Sequence, residues 1–543
     1  MIRFSTRAAG LVLRVGGACL AALVMIAPRS AADVPSSHGA VAARPAFAAH
    51  VALQSRTRDP IKKKKRSSRI RATSARAPRR PSGPAWTAPR GAEALAQAVG
   101  SALASHTRRG EWGAIIVSLT RGDTLFAQNA DAMMQPASTM KMYTSAVALD
   151  RFGPDYTFRT PVLRDGQVGP DGTLNGSLYL RGVGDPSLSS RFWHDESPMD
   201  VLARQIAAAG IKRVHGDMVG DATAFDDKLV PDGWKSSYLG AAYAARVSAL
   251  SLNENVVWVV VQPNGRSAAV TLEPATTTIP VESTVRLVGG SGGSISASRR
   301  SDGTIAVRGS IGANSIPRKY SLVVDNPPMF AAGALRAALQ KAGVTVDGQT
   351  RLAATPPGAT EVAAVASPPL AQIIGEMDRE SINVVAELLF RAAAHAATNQ
   401  VGSAETGLAN LRTFLTKKVG APANVVDVSD GSGLSTLDRV TPRSMVELLG
   451  FAHHADWGPV FHAALPVDGE SGTLKRRAKG TPARGNLHAK TGTTNTVAAL
   501  GGYVTAKDGE VLAFSLVYNG TDRGNAKAAM DQIGATMAEF VRD

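Results

Sequence analysis

The spacing of apolar positions predicts helices and strands in alternation near the start of the folded chain. Apolar residues recur at three- and four-residue intervals over 92–104 and 138–152, which predicts two amphipathic helices. Between them, the apolar run 112–119 predicts a strand, and residues 121–123 (Arg-Gly-Asp) predict a turn into a second strand near Leu125. This part of the chain therefore has mixed α/β character.

The middle of the chain has a different pattern, in which short alternating segments are separated by glycine and Asn/Asp-Gly turns. Helices are expected only at 199–209 and 328–342. The glycine-rich run 289–293 predicts a loop rather than a phosphate-binding turn, because no helical pattern follows it. Residues 161–365 are therefore expected to form a β-rich insertion. Its expected strands are 174–181, 256–261, 268–272, 283–288, 305–309 and 320–324.

Helical periodicity returns towards the C-terminus. A hairpin is then predicted from strands at 497–504 and 511–517, with Asp508-Gly509 as the turn. A last amphipathic helix carries Met530, Ile533, Met537 and Phe540 on one face. The expected helices before the hairpin span 370–379, 384–397, 406–415 and 442–453.

The N-terminal residues 1–32 are typical of a secretory signal peptide. Arginines precede an apolar run over 15–27, and small residues at 30–32 suit cleavage. That run is short for a transmembrane helix, and an uncleaved membrane anchor is the alternative interpretation. The only cysteine, Cys19, lies inside this segment, so we expect no disulfide or thiolate chemistry in the exported protein. The predicted location is the periplasm or cell envelope.

The net charge belongs to one part of the chain. Residues 1–90 contain 18 Lys and Arg against two Asp, a net of +16 that equals the charge of the whole protein. The remainder is neutral overall, so nucleic-acid binding is not expected. Residues 56–80 carry twelve basic side chains and should be disordered. They are interpreted as a solvated tether, with adhesion to anionic envelope polymers or lipid headgroups as the alternative.

These patterns divide the 543 residues into five segments. Residues 1–32 form the signal peptide, and residues 33–90 form a disordered basic linker. A catalytic domain is expected in two parts, 91–160 and 366–543. The β-rich insertion of one or more domains, 161–365, separates these parts.

Candidate chemistry begins at Ser138 and Lys141, which lie one helical turn apart on the same face. A serine hydroxyl becomes a strong nucleophile when a nearby base takes its proton. A lysine amine can act as that base when burial or positive charge lowers its pKa. This spacing alone is weak evidence, because it also arises by chance. Ser138 or a neighbour is expected to cap the helix.

Two further short motifs strengthen this interpretation. Ser381-Ile382-Asn383 lies in a break between two predicted helices, and Lys490-Thr491-Gly492-Thr493 precedes the C-terminal hairpin. A second Ser-x-Asn at 251–253 is disfavoured because it runs directly into a strand of the insertion. The elements Ser-x-x-Lys, Ser-x-Asn and Lys-Thr-Gly together mark penicillin-binding proteins and class A β-lactamases. Here they stand in the expected order.

The serine and lysine motifs suggest one acyl-transfer site. Ser138 would be acylated after Lys141 takes its proton. Ser381 can relay a proton to the leaving amine, and Asn383 can hold the substrate amide. Lys490 supplies a positive field that keeps Lys141 neutral and attracts a terminal carboxylate.

The strand-like segment after Lys490 is expected to bind the substrate. Hydroxyls of Thr491 and Thr493 can bind the terminal carboxylate. Gly492 has no side chain and so lets the strand lie close to the peptide. Backbone N–H groups of Ser138 and Thr493 would form the oxyanion hole.

The long interval of 243 positions between Ser138 and Ser381 separates this chain from class A β-lactamases. With the three motifs it resembles class C low-molecular-mass penicillin-binding proteins, the D-alanyl-D-alanine carboxypeptidase/endopeptidase family. The resemblance covers about 92–543. Other stretches that look like this family are 136–144, 182–186, 216–221, 250–255, 367–370, 430–435 and 490–502.

The resemblance implies an α/β penicilloyl-serine transferase (β-lactamase/transpeptidase-like) catalytic domain with a large β-rich insertion. It implies a penicillin-sensitive serine peptidase that acts on peptidoglycan stem peptides without a cofactor, with β-lactams as covalent inhibitors. One departure concerns the substrate side chain. Family members often have an arginine where this chain has Thr436, and Arg439 is the nearest cation. Asp221 matches a position that can meet the amino group of diaminopimelate.

Two other groups of residues resemble metal sites, but each is a weaker candidate than the acyl-transfer site. The pair His453-His454 with Asp456 could suggest a metal, but adjacent helical residues point in different directions. The acidic, glycine-rich run 468–472 lacks the ligands of a calcium loop. No metal site is therefore predicted.

Two other functions stay open at this level. A β-lactamase would use the same acylation with fast deacylation, but no base for water is evident between Ser138 and Ser381. An envelope-binding protein with a vestigial enzyme would act through its basic tail, although the intact motifs argue against it.

Overall fold

One antiparallel sheet of five strands joins the two ends of the described chain, residues 86–542 of the computed structural model. The early and late segments meet directly, because Val511–Asn519 (β22) lies between Glu111–Ser118 (β1) and its hairpin partner Val497–Thr505 (β21). In spatial order the strands are Thr124–Gln128 (β2), Glu111–Ser118 (β1), Val511–Asn519 (β22), Val497–Thr505 (β21) and His488–Thr493 (β20).

The central strands β1, β21 and β22 are buried along most of their length, as expected for a sheet covered on both faces. One face packs against the first and last of the described helices, Ala92–His106 (α1) and Arg523–Ala538 (α10), in a core that includes Leu95, Met530 and Phe514. The other face contributes Tyr503 and Ala513 to a larger core among the remaining C-terminal helices.

The helices of the protein begin and end close to their predicted bounds. A seven-residue helix, α9, was not predicted, because it is too short to show helical periodicity. In chain order α1 to α10 span Ala92–His106, Met140–Phe152, Pro198–Ala208, Pro327–Lys341, Leu370–Glu380, Asn383–Thr398, Ala404–Phe414, Pro442–His454, Gly458–Ala464 and Arg523–Ala538.

Strands dominate between 159 and 366, where they form four sheets of three, three, four and five strands. Helices α3 and α4 pack with these strands in a hydrophobic core of their own. In chain order β3 to β17 span Arg159–Arg164, Gln167–Val168, Thr173–Asn175, Leu178–Arg181, Arg213–Val214, Met218–Asp221, Val256–Asn264, Ser267–Glu273, Val281–Val288, Ile295–Arg299, Ile305–Gly312, Arg318–Val323, Thr345–Val346, Thr350–Leu352 and Thr360–Ala366. The short pair β18 and β19 spans Val426–Asp427 and Arg439–Val440.

The single strand predicted over 174–181 is wrong. It is two strands, β5 and β6, which belong to different sheets. The Asn175-Gly176 pair separates them, and such a pair is a strong turn signal. The alternation of apolar residues over 174–181 therefore runs across a turn, and the Asn-Gly pair was the signal for that turn.

The predicted signal segment 1–32 and the basic stretch 56–80 lie outside the described residues. The last residues of the predicted linker do take part in the fold: the backbone N–H of Gly91 donates to Val541 (3.0 Å), and Val541 donates to Pro89 (3.1 Å). Among residues 86–542, no helix has the length and apolar character needed to cross a membrane. The proposed division into domains stays a prediction.

Candidate active site

Ser138 lies in a single 3-10 turn, Ala137–Thr139, that leads into α2. The N-cap of α2 is Thr139, the neighbour of Ser138, but its side chain makes no capping bond and instead donates to the Pro136 carbonyl (2.8 Å). Ala137 has a φ of 48°, a left-handed conformation that costs free energy in a residue with a Cβ. The turn before the serine is thus held in a strained shape.

Two glycines from other segments make that turn possible. A Cβ on Gly433 would lie 1.8 Å from the Ala137 carbonyl oxygen, and a Cβ on Gly492 would lie 2.7 Å from the Pro136 oxygen. The absence of side chains at these two positions lets the loop 430–435 and strand β20 close around the serine turn.

Lys141 is fully buried beneath the serine. Its Nζ donates to Ser138 Oγ (3.2 Å), to Asn383 Oδ1 (2.6 Å) and to the Ser432 carbonyl (2.7 Å). Burial lowers the pKa of Lys141 to about 8, although Asp430 and other carboxylates oppose this shift. An amine with this pKa, one hydrogen bond from a serine, is suited to accept the serine proton.

Ser381 is the left-handed residue (φ 59°) that ends α5, and Asn383 begins α6 two residues later. The sharp break between the helices turns both side chains towards the same site. Asn383 Nδ2 donates to the backbone oxygen of Tyr243 (2.7 Å), so the middle of the chain supports this amide. The other Ser-x-Asn is used locally: Ser251 donates to the Ser248 carbonyl (2.7 Å).

Lys490 lies on β20 and is also fully buried. Its Nζ donates to Ser381 Oγ (2.9 Å) and to the Thr491 carbonyl (3.1 Å). Burial, and then the neighbouring Lys141, lower the pKa of Lys490. The three predicted motifs therefore converge, with Lys141 bridging the first to the second and Lys490 bridging the second to the third.

Asp430, for which no role was predicted, organises the loop that covers Lys141. Its two carboxylate oxygens accept backbone N–H bonds from Ser432 (3.0 Å), Gly433 (2.6 Å) and Ser435 (2.7 Å). The same carboxylate accepts from the indole of Trp234 (2.7 Å). An aspartate followed by glycine and serine often binds the next backbone N–H groups, and this signal could have identified it.

Buried carboxyl groups also lie close to the two lysines, Lys141 and Lys490. Glu387 accepts from the Gly431 N–H (3.1 Å), and burial, together with Asp430, raises its pKa to about 8. Asp378, one turn before Ser381, accepts from Ser145 Oγ (2.7 Å), and burial raises its pKa to about 6. Neither residue belongs to a motif, so only the fold reveals them.

The motif residues open into a cavity of about 260 Å³. It is lined by Ser138, Ser381, Thr473, Arg477, Thr491, Thr493 and Lys527. Thr491 Oγ1 donates to Thr473 Oγ1 (2.7 Å). Three of these lining residues, Thr473, Arg477 and Lys527, were not predicted.

Sequence comparison identifies the family of this site. The model of the family described as D-Ala-D-Ala carboxypeptidase 3 (S13) matches residues 95–540. The chain belongs to this family. The predicted family is thereby confirmed.

Relatives of this S13 chain carry consistent names. A D-alanyl-D-alanine carboxypeptidase of Actinomadura sp. (strain R39) is 34% identical over 448 residues, which cover 79% of this chain and 81% of that protein. The D-alanyl-D-alanine carboxypeptidase DacB of Haemophilus influenzae is 25% identical over 438 residues, which cover 79% and 89%. The chain thus matches most of the length of both proteins.

The fold agrees with the family. The crystal structure of penicillin binding protein 4 (dacB) from Haemophilus influenzae superposes with a TM-score of 0.68 at 25% identity, covering 80% of this chain and 97% of that one. The same protein complexed with a β-lactam gives a TM-score of 0.63 at 23% identity, over 80% and 97%. The predicted α/β penicilloyl-serine transferase fold is confirmed.

The two residues predicted to read the substrate side chain are not among those that line the cavity of this S13 protein. Asp221 is buried at the end of β8, where Thr223 and Thr355 donate both hydroxyl and backbone bonds to its carboxylate. Arg439 donates to the carbonyls of Thr436 (3.0 Å) and Asp438 (2.7 Å). Their roles in recognition stay predictions.

The histidines weighed as a metal pair do not assemble a ligand set. Across residues 86–542, no three His, Cys, Asp or Glu side chains come together in a way that could hold a metal ion. Burial, and then His454, lower the pKa of His453.

Proposed function

We propose that this S13 protein is a serine-type D-alanyl-D-alanine carboxypeptidase/endopeptidase that cleaves peptidoglycan stem peptides through an acyl-serine intermediate. The observation that carries the proposal is the pair of lysine contacts, Lys141 to Ser138 (3.2 Å) and Lys490 to Ser381 (2.9 Å). These contacts join three motifs that are more than a hundred residues apart. The names of the relatives support the same substrate class.

In the proposed acylation, neutral Lys141 accepts the proton of Ser138 as Oγ bonds to the carbonyl carbon of the penultimate D-alanine. The developing oxyanion is stabilised by the N–H groups of Ser138 and Thr493, each worth about 3 kcal/mol. The C–N bond then breaks, and Ser381 passes a proton to the leaving amine. Water releases the acyl group from the serine in the second half of the reaction.

Substrate binding is proposed to depend on the third motif. The Lys490 ammonium attracts the terminal carboxylate, which Thr491 and Thr493 bind through their hydroxyls. Gly492 keeps the strand close to the peptide, and Asn383 holds the amide of the acyl portion. Asp221 and Arg439 remain candidates for contact with the third residue of the stem peptide.

Ser138→Ala tests the proposal, because it removes the only atom that can form the acyl ester. Labelled penicillin should acylate the wild-type chain in a persistent adduct, and the variant should lose both the label and D-alanine release. Intact-mass measurement locates the adduct. Labelling that survives in the variant would refute the assignment, and rapid nitrocefin hydrolysis without an adduct would favour a β-lactamase.

The proposal places the enzyme outside the cytoplasm, in the periplasm or envelope, on the strength of the predicted signal at 1–32. Residues 56–80 would then attach it to anionic envelope polymers or lipid through their twelve basic side chains. A chain without 33–85, which keeps the residues that pair with Val541, should cleave soluble peptides at the wild-type rate and sediment less with isolated sacculi. Equal sedimentation of both chains would instead support a passive tether.

A further inference from the structure

The cavity has two walls of different chemistry. One consists of the motif residues Ser138, Ser381, Thr491 and Thr493, which the proposed reaction uses. The other is formed by Arg477 and Lys527, with Thr473 at the junction. We call Arg477 and Lys527 the basic wall. The proposed chemistry gives the basic wall no task.

Positive charge on the basic wall is only partly balanced. Arg477 pairs with Asp531 (2.6 Å) and also donates to the Lys527 carbonyl (3.1 Å). Within residues 86–542, Lys527 has no carboxylate oxygen within 4.0 Å, and neither has the adjoining Arg523. Arg523 instead donates to the Thr494 carbonyl (2.6 Å).

One further carboxylate, that of Asp468, lies close enough to Arg477 for the two charges to interact. Asp468 is buried, and burial, followed by the charge of Asp531, raises its pKa to about 6. Burial, followed by Arg477 and Arg523, lowers the pKa of Lys527. Like charges crowded into a cleft repel each other, and an incoming anion relieves that repulsion.

The basic wall adjoins the expected position of the substrate carboxylate. Thr491, proposed to bind that carboxylate, donates to Thr473 (2.7 Å), and Thr473 lines the cavity together with Arg477. When the carboxylate of the substrate is bound by Thr491 and Thr493, the part of the substrate that leaves after cleavage would therefore contact the basic wall.

We propose that Arg477 and Lys527 form a second anion subsite, which binds a carboxylate on the leaving group of the substrate. Free D-alanine has a single carboxylate, which Thr491 and Thr493 would already bind. A stem peptide released from a cross-link carries additional carboxylates. The subsite would thus favour the endopeptidase reaction, in which an acidic peptide leaves. This inference rests on the proposed function and specifies its substrate.

A pair of matched peptides tests the subsite without any change on the acyl side. Both have the same donor sequence up to the penultimate D-alanine, and they end in D-glutamate or in D-glutamine. The leaving groups then differ only by one side-chain charge. Wild-type kcat/KM should be about fivefold higher for the D-glutamate peptide, since one partly exposed ion pair is worth about 1 kcal/mol. Added NaCl should reduce that ratio.

Lys527→Gln should bring the ratio close to one, whereas the control Lys479→Gln should keep it at the wild-type value. Lys479 is an exposed lysine of the same region that does not line the cavity. Because the readout is a ratio, a general loss of activity cancels. Penicillin labelling of Ser138 verifies that each variant has an intact site.

A wild-type ratio near one, or a ratio that survives Lys527→Gln, would overturn the subsite. Failure of the proposed function would appear differently, as cleavage of both peptides by Ser138→Ala. The two ideas can therefore fail separately.

Discussion

The two lysines of the site are equally buried but lie in different surroundings. Lys141 has three fixed acceptors, from Ser138, Asn383 and Ser432, and several carboxylates oppose the effect of burial on its pKa. Lys490 has two acceptors, from Ser381 and Thr491, and the charge with the largest effect on its pKa is Lys141, which Asp378 and Glu380 oppose. The charges that shift the pKa of Lys141 are therefore carboxylates, whereas a lysine and two carboxylates act in opposite directions on the pKa of Lys490.

This difference suggests how the lysines divide their tasks. Two ammonium groups that repel each other in a buried site will not both stay charged at neutral pH. Without substrate, the carboxylate of Asp430 favours the proton on Lys141, whereas Asp378 raises the pKa of both lysines. A substrate carboxylate near Thr491 would favour the proton on Lys490 instead. Binding of the anionic substrate would thus leave Lys141 neutral, in the form that can act as a base.

Substitution of each lysine by glutamine should separate the two tasks, with the largest effect at Lys141. Lys141→Gln removes the proposed base, so we expect penicillin acylation to slow by about 10²–10⁴-fold. Lys490→Gln removes a charged donor to the substrate carboxylate, which should lower kcat/KM by roughly ten- to a hundredfold. The rate of penicillin acylation measures the first effect, and steady-state release of D-alanine measures the second.

A peptide with a C-terminal amide sharpens the comparison. Wild type and Lys141→Gln should both prefer the free acid, whereas Lys490→Gln should lose most of that preference. If Lys490→Gln still discriminates between acid and amide, the carboxylate is recognised elsewhere. Equal losses of acylation in both variants would mean that the lysines act as one unit.

The motif residues could be predicted because each motif is local in sequence and has a specific spacing. Ser138 with Lys141, and Ser381 with Asn383, are close neighbours in the chain, and their order identified the site before any fold was known. The large fold elements were also predictable, since α2 and the hairpin of β21 and β22 have clear periodicity.

The charges that tune the lysines could not be predicted in the same way. Asp378, Glu387 and Asp430 come from two helices and a loop, and nothing in their local sequence indicates that they surround Lys141. The basic wall has the same origin, because Arg477 and Lys527 are fifty residues apart and meet only when α10 packs on the sheet. Asp221 illustrates the reverse case, in which a motif match does not reveal where the side chain points.

The smallest predicted effect concerns Asp378, which acts on Lys141 only through its charge. Above its pKa of about 6 this carboxylate is ionised and raises the pKa of Lys141. Asp378→Asn keeps an acceptor for Ser145 but removes the charge, so the pKa of Lys141 should fall. Neutral Lys141 is the active form, so the rate rises with pH. The midpoint of log kcat/KM should then move to lower pH by about half a unit, equivalent to about 0.7 kcal/mol.

Ser145→Ala is the matched control, because it removes the hydrogen bond to Asp378 but leaves the carboxylate. The midpoint of its ascending, acidic limb should stay close to the wild-type value. A shift to higher pH in Asp378→Asn would mean that Lys490, whose pKa Asp378 also raises, loses its proton first and then repels the Lys141 ammonium less. An unchanged midpoint would mean that Lys141 is insulated from Asp378, and the difference between the two lysines would then come from Asp430 and Glu387.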